Sequence, residues 1–186
     1  MASNILGKIS KERTISAVIL VIAALASILP GGVILAVVLY VISIIGFLEL
    51  TKACGVRQKD AKKLNALEIV GVIAITGYYF AIYFTHPDES VMDYLPEIGF
   101  SMLDIGIMIS LFLSLILLMS VYVFSFPKFH AHQVMAAYFS LVYAPVMLSF
   151  VFLTRQLEYG VYLVWMIFIN SWISDTCAYL VGVMVG

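Results

Sequence analysis

The sequence predicts an all-α, polytopic integral membrane bundle of about six transmembrane helices, with the N- and C-termini in the cytoplasm. The first observation is composition, because a soluble domain has roughly 45–50% apolar and about 25% charged residues. This 186-residue chain is 63% apolar and 11% charged. Too few polar side chains are present to cover a water-exposed surface, which excludes a soluble enzyme, a secreted disulfide scaffold and a disordered linker.

The second observation is a series of six apolar runs. A spanning helix needs about 20 largely apolar residues, and a helix pairs every backbone amide within the hydrocarbon. Pro30-Gly31-Gly32 between the first two runs permits only a tight hairpin, and Pro145 is expected to free a backbone carbonyl within the fifth run. The runs cover residues 14–29, 33–50, 66–84, 101–124, 134–153 and 160–186.

The third observation is the placement of lysine and arginine. Starting from the N-terminus, the segments outside the runs contain three, zero, five, zero, one and one of these residues. Cytoplasmic segments are enriched in positive charge, which predicts that segment 1–13 and loop 51–65 are cytoplasmic, with residues 14–186 forming the transmembrane region. The net charge of −1 gives no reason to expect a nucleic-acid partner.

The sixth run contains an acidic residue, Asp175, well inside a predicted membrane helix. An ionised carboxylate at the centre of such a helix costs about 2.5–3.5 kcal/mol on insertion scales. At helical spacing, Asp175 shares a face with Ser171, Ser174 and Ala178. This face is predicted to look into the protein or a water-filled cavity in the cytoplasmic half of the membrane. The structural alternative is hydrogen bonding between helices.

In the sixth run, residues 174–179 read Ser-Asp-Thr-Cys-Ala-Tyr and are followed by Gly182 and Gly186. This segment resembles the Asp-(Thr/Ser)-x-Ala-Tyr and Gly-x-x-x-Gly pattern of the phosphatidate cytidylyltransferase (CDP-diacylglycerol synthase) family. Residues 13–17, Arg-Thr-Ile-Ser-Ala, and residues 47–50, Phe-Leu-Glu-Leu, resemble weaker family features at the first and second spans. The resemblance extends over nearly the whole chain.

The resemblance implies an enzyme of phospholipid biosynthesis that transfers CMP from CTP to phosphatidic acid, giving CDP-diacylglycerol and pyrophosphate. It implies a Mg²⁺ cofactor, with CTP, phosphatidic acid and membrane lipid as partners, in the plasma membrane with the active side cytoplasmic. Asp175 is the expected catalytic and metal-binding residue. Substrate contacts are expected from Ser174, Thr176, Tyr179 and Arg13. A homo-oligomer is possible, but the sequence does not determine the oligomeric state.

The sequence departs from the family pattern at its C-terminal end. Family members continue with a Lys-rich Ser-Pro-x-Lys loop and a His-Gly-Gly segment, neither of which follows Gly186 here. The chain is therefore interpreted as the N-terminal part of such an enzyme, truncated before the C-terminal catalytic segment and expected to be inactive alone. The alternative function is a membrane transporter or proton-pathway fragment that uses Asp175 as an intramembrane carboxylate.

Overall fold

The computed structural model describes residues 22–57, 63–84 and 102–185. Within these ranges all regular secondary structure is helical. The described end of the first helix, α1, covers residues 22–28. The other elements are α2 Gly32–Ala53, α3 Ala66–Phe84, α4 Met102–Phe124, α5 Ala131–Leu141, a π-helical turn Val142–Val146, α6 Met147–Arg155 and α7 Gly160–Val185.

Five helical segments in the described residues are long and apolar enough to cross a membrane, with α5, the π-helical turn and α6 counted as one. They correspond to the second to sixth predicted runs, and α3 matches its run, 66–84, at both ends. The prediction of a polytopic helical membrane bundle is confirmed. Segment 1–13 and most of the first predicted run lie outside the described residues.

The chain divides into two compact units: a larger unit, Ala36–Phe150, and a smaller unit formed by Met1–Leu35 together with Val151–Gly186. In the larger unit α3 packs against both α4 and α5. The outer face of α4 is apolar and exposed, because Ile109, Phe112 and Ile116 are each about 60% accessible. Exposed aliphatic and aromatic residues of this kind suit contact with lipid tails. One apolar core cluster contains Val56, Leu67, Leu118, Phe129, Val134 and Ala137.

Side-chain hydroxyls connect the spans of the larger unit. The Tyr79 hydroxyl lies 2.6 Å from Ser43 Oγ on α2 and donates to the Pro145 carbonyl oxygen at 3.3 Å. The Tyr78 hydroxyl lies 2.9 Å from Ser149 Oγ on α6. Hydrocarbon offers no alternative partners for these hydroxyl groups, so hydrogen bonds between helices help to fix how the helices pack.

Pro145 lies within the π-helical turn of the fifth span. Proline has no N–H group to donate, and its ring clashes with the carbonyl one turn earlier. The sequence predicts a freed carbonyl at this point, and the structure accommodates the proline by widening one turn of the helix. The Tyr79 hydroxyl, which donates to the Pro145 carbonyl, ties this irregular turn to α3.

The loop after α2 is anchored by Glu68, which is fully buried in the first turn of α3. Arg57 donates from Nε to both carboxylate oxygens of Glu68, at 2.9 and 3.0 Å, and its Nη2 lies 2.8 Å from Oε1. Asn65 completes a capping box, because its side chain accepts from the Glu68 amide while its own amide donates to the Glu68 carboxylate. The described part of loop 51–65 is therefore held against the start of α3.

In the smaller unit, Arg155 at the end of α6 caps the end of α1. Its Nε donates to the Ile28 carbonyl at 3.0 Å and its Nη2 to the Leu29 carbonyl at 3.3 Å. Gly31 and Gly32 take positive φ angles of 63° and 51° in the predicted hairpin, a conformation that favours glycine. Arg155 therefore satisfies carbonyls that the helix end would leave without a partner.

Two contacts test the predicted alternation of the spans. The hydrogen bonds from Arg155 place the segment after the fifth span at the same end as the first hairpin. Gln133 Nε2 lies 3.4 Å from the Val56 carbonyl, so the turn after the fourth span lies beside the loop after the second. Both pairings are those that alternating membrane crossings require.

Candidate functional site

The candidate site lies on α7, whose helix is continuous from Gly160 to Val185. Asp175 is more than two turns from either end of this helix, about 15 Å along the axis from Val185. Among the described helices no other carboxylate lies so far from a helix end, since Glu68 and Asp104 are in first turns and Glu49 is only four residues before the end of α2. The prediction of a carboxylate deep within a span-length helix holds in the structure.

The other predicted residues of α7 surround Asp175. Tyr179 lies one turn further along the same face and is 67% exposed. Ser174 and Thr176 flank Asp175 on either side, each about 100° away around the helix. The Thr176 hydroxyl donates to the Trp172 carbonyl at 2.7 Å, so its proton is engaged within the helix. Arg13, the fifth predicted site residue, lies outside the described residues.

The carboxylate of Asp175 is exposed. It has no hydrogen bond or ion pair to another residue in the described part of the chain. Residues 171–182 are likewise exposed along the entire helix surface. The structure therefore brings the α7 residues together as one surface, but adds no charged side chain from another described element.

The described residues contain no group of three or more His, Cys, Asp or Glu side chains that could hold a metal ion. Magnesium in nucleotide sites is commonly held by one or two protein carboxylates together with substrate phosphates and water. Asp175, as a single accessible carboxylate, fits a site of this kind, in which the nucleotide contributes further oxygen ligands. It does not fit a cage made by the described protein groups alone.

An open groove of about 590 Å³ lies beside the first half of α7, within the smaller unit. Asn170 and Thr154 are its polar lining residues, and five aliphatic side chains supply the rest. Asn170 is one turn before Ser174, so the groove leads along α7 toward the polar segment. The aliphatic lining consists of Leu163, Met166, Ile167, Ile169 and Ile173.

Sequence reasoning did not find the buried pair formed by Glu68 and Arg57. Glu68 is the most buried charged residue among the described residues, with 0% accessibility. The available signal was Asn65-Ala66-Leu67-Glu68 before an apolar run, the spacing of a capping box at a helix start. That pattern predicts the cap, but not the arginine that closes over it from the preceding loop.

The five span-length apolar helices in the described residues define a polytopic helical membrane protein. The chain belongs to the cytidylyltransferase family, whose model matches residues 11–186. This match confirms the family predicted from residues 174–179 and their neighbours, and it assigns the chain to CTP-dependent nucleotidyl transfer. No curated protein and no solved structure matches the chain.

Proposed function

We propose that this protein is a phosphatidate cytidylyltransferase, which transfers CMP from CTP to phosphatidic acid and releases CDP-diacylglycerol and pyrophosphate. The observation that carries the proposal is the family match over residues 11–186, which supports a CTP-dependent nucleotidyltransferase. The lipid substrate is supported by the membrane-spanning character of the helices that carry the candidate site.

In the proposed reaction an oxygen of the phosphatidate phosphate attacks the α-phosphorus of CTP. The new bond joins that oxygen to the α-phosphorus, and the bond from the α-phosphorus to the bridging oxygen breaks as pyrophosphate leaves. Both reactants carry several negative oxygens, so positioning and neutralisation of charge supply most of the rate in such a transfer. The protein's task is to align two anions that repel each other.

Asp175 is proposed to supply one protein ligand for Mg²⁺, with CTP phosphates supplying others. Bound Mg²⁺ would neutralise charge on the phosphates. Asp175 is suited to this role because its carboxylate is accessible and is not engaged by a cation in the described part of the chain. The role also gives a physical reason for a carboxylate within a span-length apolar helix.

The remaining site residues have more limited proposed roles. Ser174 is exposed, and its hydroxyl is proposed to donate to a nucleotide oxygen. Thr176 can accept a hydrogen bond as it stands, but must rotate away from the Trp172 carbonyl to donate one. Tyr179, one turn along the same helix face as Asp175, is proposed to contact the nucleotide, and Arg13 to meet the lipid phosphate at the cytoplasmic side of the membrane.

The groove beside α7 supports a lipid substrate. Its lining is mainly aliphatic, with Thr154 and Asn170 as polar members. A surface of this composition in a bilayer suits an acyl chain. Both the chain and most of the lining are apolar, so their contact leaves no hydrogen-bonding group without a partner. We propose that an acyl chain of phosphatidate lies here, with its headgroup toward the polar segment of α7.

The proposed location is the plasma membrane, with the active side in the cytoplasm, where CTP is available. The distribution of lysine and arginine supports this orientation, since loop 51–65 contains five of the ten basic residues. On this orientation the second half of α7 runs toward the cytoplasm.

The test is conversion of radiolabelled CTP to a lipid-soluble product by membranes that contain the full-length protein, including any residues that follow Gly186. Asp175→Asn is expected to lower the rate about a hundredfold or more, the scale of losing one group that stabilises transferring charge. Glu158→Gln is the matched carboxylate-to-amide control, because Glu158 is exposed in the turn before α7. The control is expected to retain the wild-type rate.

The lipid acceptor is tested by substitution of diacylglycerol for phosphatidic acid, which should abolish the product because diacylglycerol has no phosphate nucleophile. CTP-dependent product formation that is unchanged by Asp175→Asn would contradict the assignment of Asp175 to the active site. Proton flux into liposomes that requires Asp175, without CTP turnover, would favour the transporter alternative instead.

A further inference from the structure

Three exposed lysines lie at the end of the larger unit where α2 ends and α3 and α5 begin. Lys52 is in the last turn of α2, Lys63 precedes the Asn65 cap of α3, and Lys128 lies in the turn between α4 and α5. None of them forms an ion pair with another residue that the structure describes. We refer to Lys52, Lys63 and Lys128 as the lysine face.

The segments that carry the lysine face are joined to one another. The carbonyl of Val56, a residue only 2% exposed, accepts from Asn65 Nδ2 at 2.8 Å and from Gln133 Nε2 at 3.4 Å. Val56 also packs in one apolar cluster with Phe129, the residue after Lys128. The loop after α2 and the turn before α5 therefore form one connected surface at this end of the unit.

The acidic residues at this end do not cancel the positive charge. Glu68 is fully buried and already paired with Arg57, so it neutralises the arginine rather than a lysine. Glu49 is the other described carboxylate at this end, and it is exposed one turn before Lys52. Three lysines stand against one accessible carboxylate, which leaves the described surface with a net positive charge.

We propose that the lysine face binds the phosphate headgroups of anionic phospholipids in the leaflet where α2 and α4 end. Lysine side chains at the end of a span extend from the apolar region to headgroup depth, and basic clusters at this depth attract anionic lipid. The Arg57–Glu68 pair has a positioning role, since it holds Arg57, at the start of the loop, against α3 without contributing a free charge. This inference goes beyond the proposed reaction and involves none of the α7 residues.

The test compares lipids retained by the purified protein. Wild-type protein is equilibrated with equal amounts of phosphatidylglycerol and phosphatidylcholine, and bound lipids are counted by native mass spectrometry. Wild-type protein should retain phosphatidylglycerol in preference to phosphatidylcholine. The combined variant Lys52→Gln, Lys63→Gln, Lys128→Gln should lower this preference about tenfold, allowing for screening of exposed charges.

Two further variants separate charge from side-chain packing. Replacing the same three lysines with arginine keeps the charge and should preserve the preference for phosphatidylglycerol. Glu49→Gln removes the accessible carboxylate at this end and should increase the preference. All these positions are exposed, so the variants are expected to fold, which thermal unfolding in detergent verifies.

Equal retention of the two lipids by wild-type protein, or an unchanged preference in the triple glutamine variant, would overturn the proposal. A second arm measures binding of CTP without added lipid. If the triple variant loses CTP binding but keeps its lipid preference, the lysines serve a soluble phosphate ligand and the proposal is wrong. Bound lipid is measured without turnover. Failure of the proposed enzymatic function would therefore leave the result of this lipid-binding test unchanged.

Discussion

Arg57 and the fully buried Glu68 form a bidentate ion pair, with three nitrogen–oxygen distances of 2.8 to 3.0 Å. Thr51 adds a further hydrogen bond to Glu68 Oε1 at 3.2 Å, and the Asn65 amide donates to Oε2 at 2.9 Å. A buried charge is tolerated when it is paired and its remaining lone pairs are satisfied. Glu68 meets both conditions, so the pair joins the start of α3 to Arg57, which follows α2.

The first prediction concerns the contribution of this ion pair to the stability of the protein. Arg57→Ala leaves the carboxylate buried without its cation and should destabilise the protein by about 3–5 kcal/mol. Lys63→Ala, in the same loop but exposed and without an ion pair in the described residues, should have little effect. Thermal unfolding in detergent measures both variants. Equal unfolding temperatures for the two variants would contradict a stabilising role for the pair.

A second prediction uses two glycines of α3. A Cβ atom added at Gly71 would collide with the Phe47 ring, whereas one added at Gly77 meets nothing within 4 Å. Gly71→Ala should therefore cost about 1–3 kcal/mol through overpacking, since Phe47 is fully buried and has little room to move. Gly77→Ala should be neutral or stabilising. Denaturant unfolding in mixed micelles measures the free energy of unfolding of both variants. Equal changes in the two variants would contradict the close contact between Gly71 on α3 and Phe47 on α2.

The groove beside α7 gives a third prediction. In the full-length protein, Ile167→Trp should fill part of the groove and raise KM for long-chain phosphatidate about tenfold, the scale of a misfit in a hydrophobic pocket. The turnover number should change little, because Ile167 is remote from the reacting phosphates in the proposed binding mode. Ile109→Trp, on the exposed face of α4, is the matched control. A fall in kcat without a change in KM would argue against an acyl-chain site.

The fourth prediction concerns orientation. Cys54 follows α2 and is exposed, and on the proposed orientation it lies on the cytoplasmic side of the membrane. In a Cys177→Ser background, a membrane-impermeant thiol reagent should not label Cys54 in intact cells, and should label it after permeabilisation. Glu158→Cys in a background with both Cys54→Ser and Cys177→Ser should be labelled in intact cells, because alternating crossings place the turn before α7 on the opposite side of the membrane from Cys54. The reverse labelling pattern would invert the proposed orientation.

The sequence alone predicted the helical membrane class, the second to sixth spans to within a few residues, and the cytidylyltransferase family. These features depend on local composition and on a short motif, which need no knowledge of packing. Asp175 was recognised for the same reason, because a carboxylate in an apolar run is unfavourable wherever the neighbouring helices lie. The assignment of Asp175 to the reaction, and of Arg13 to the lipid phosphate, remains a proposal.

Tertiary structure decided which polar groups meet. The sequence contained Arg57, Glu68 and Arg155, but only the folded chain shows that Arg57 closes over Glu68 and that Arg155 caps α1. Such pairings join residues that are distant along the chain, and their energies depend on burial and on the directions of particular donors and acceptors. Apolar patterning specifies that a helix lies in the membrane, whereas side-chain geometry specifies its neighbours.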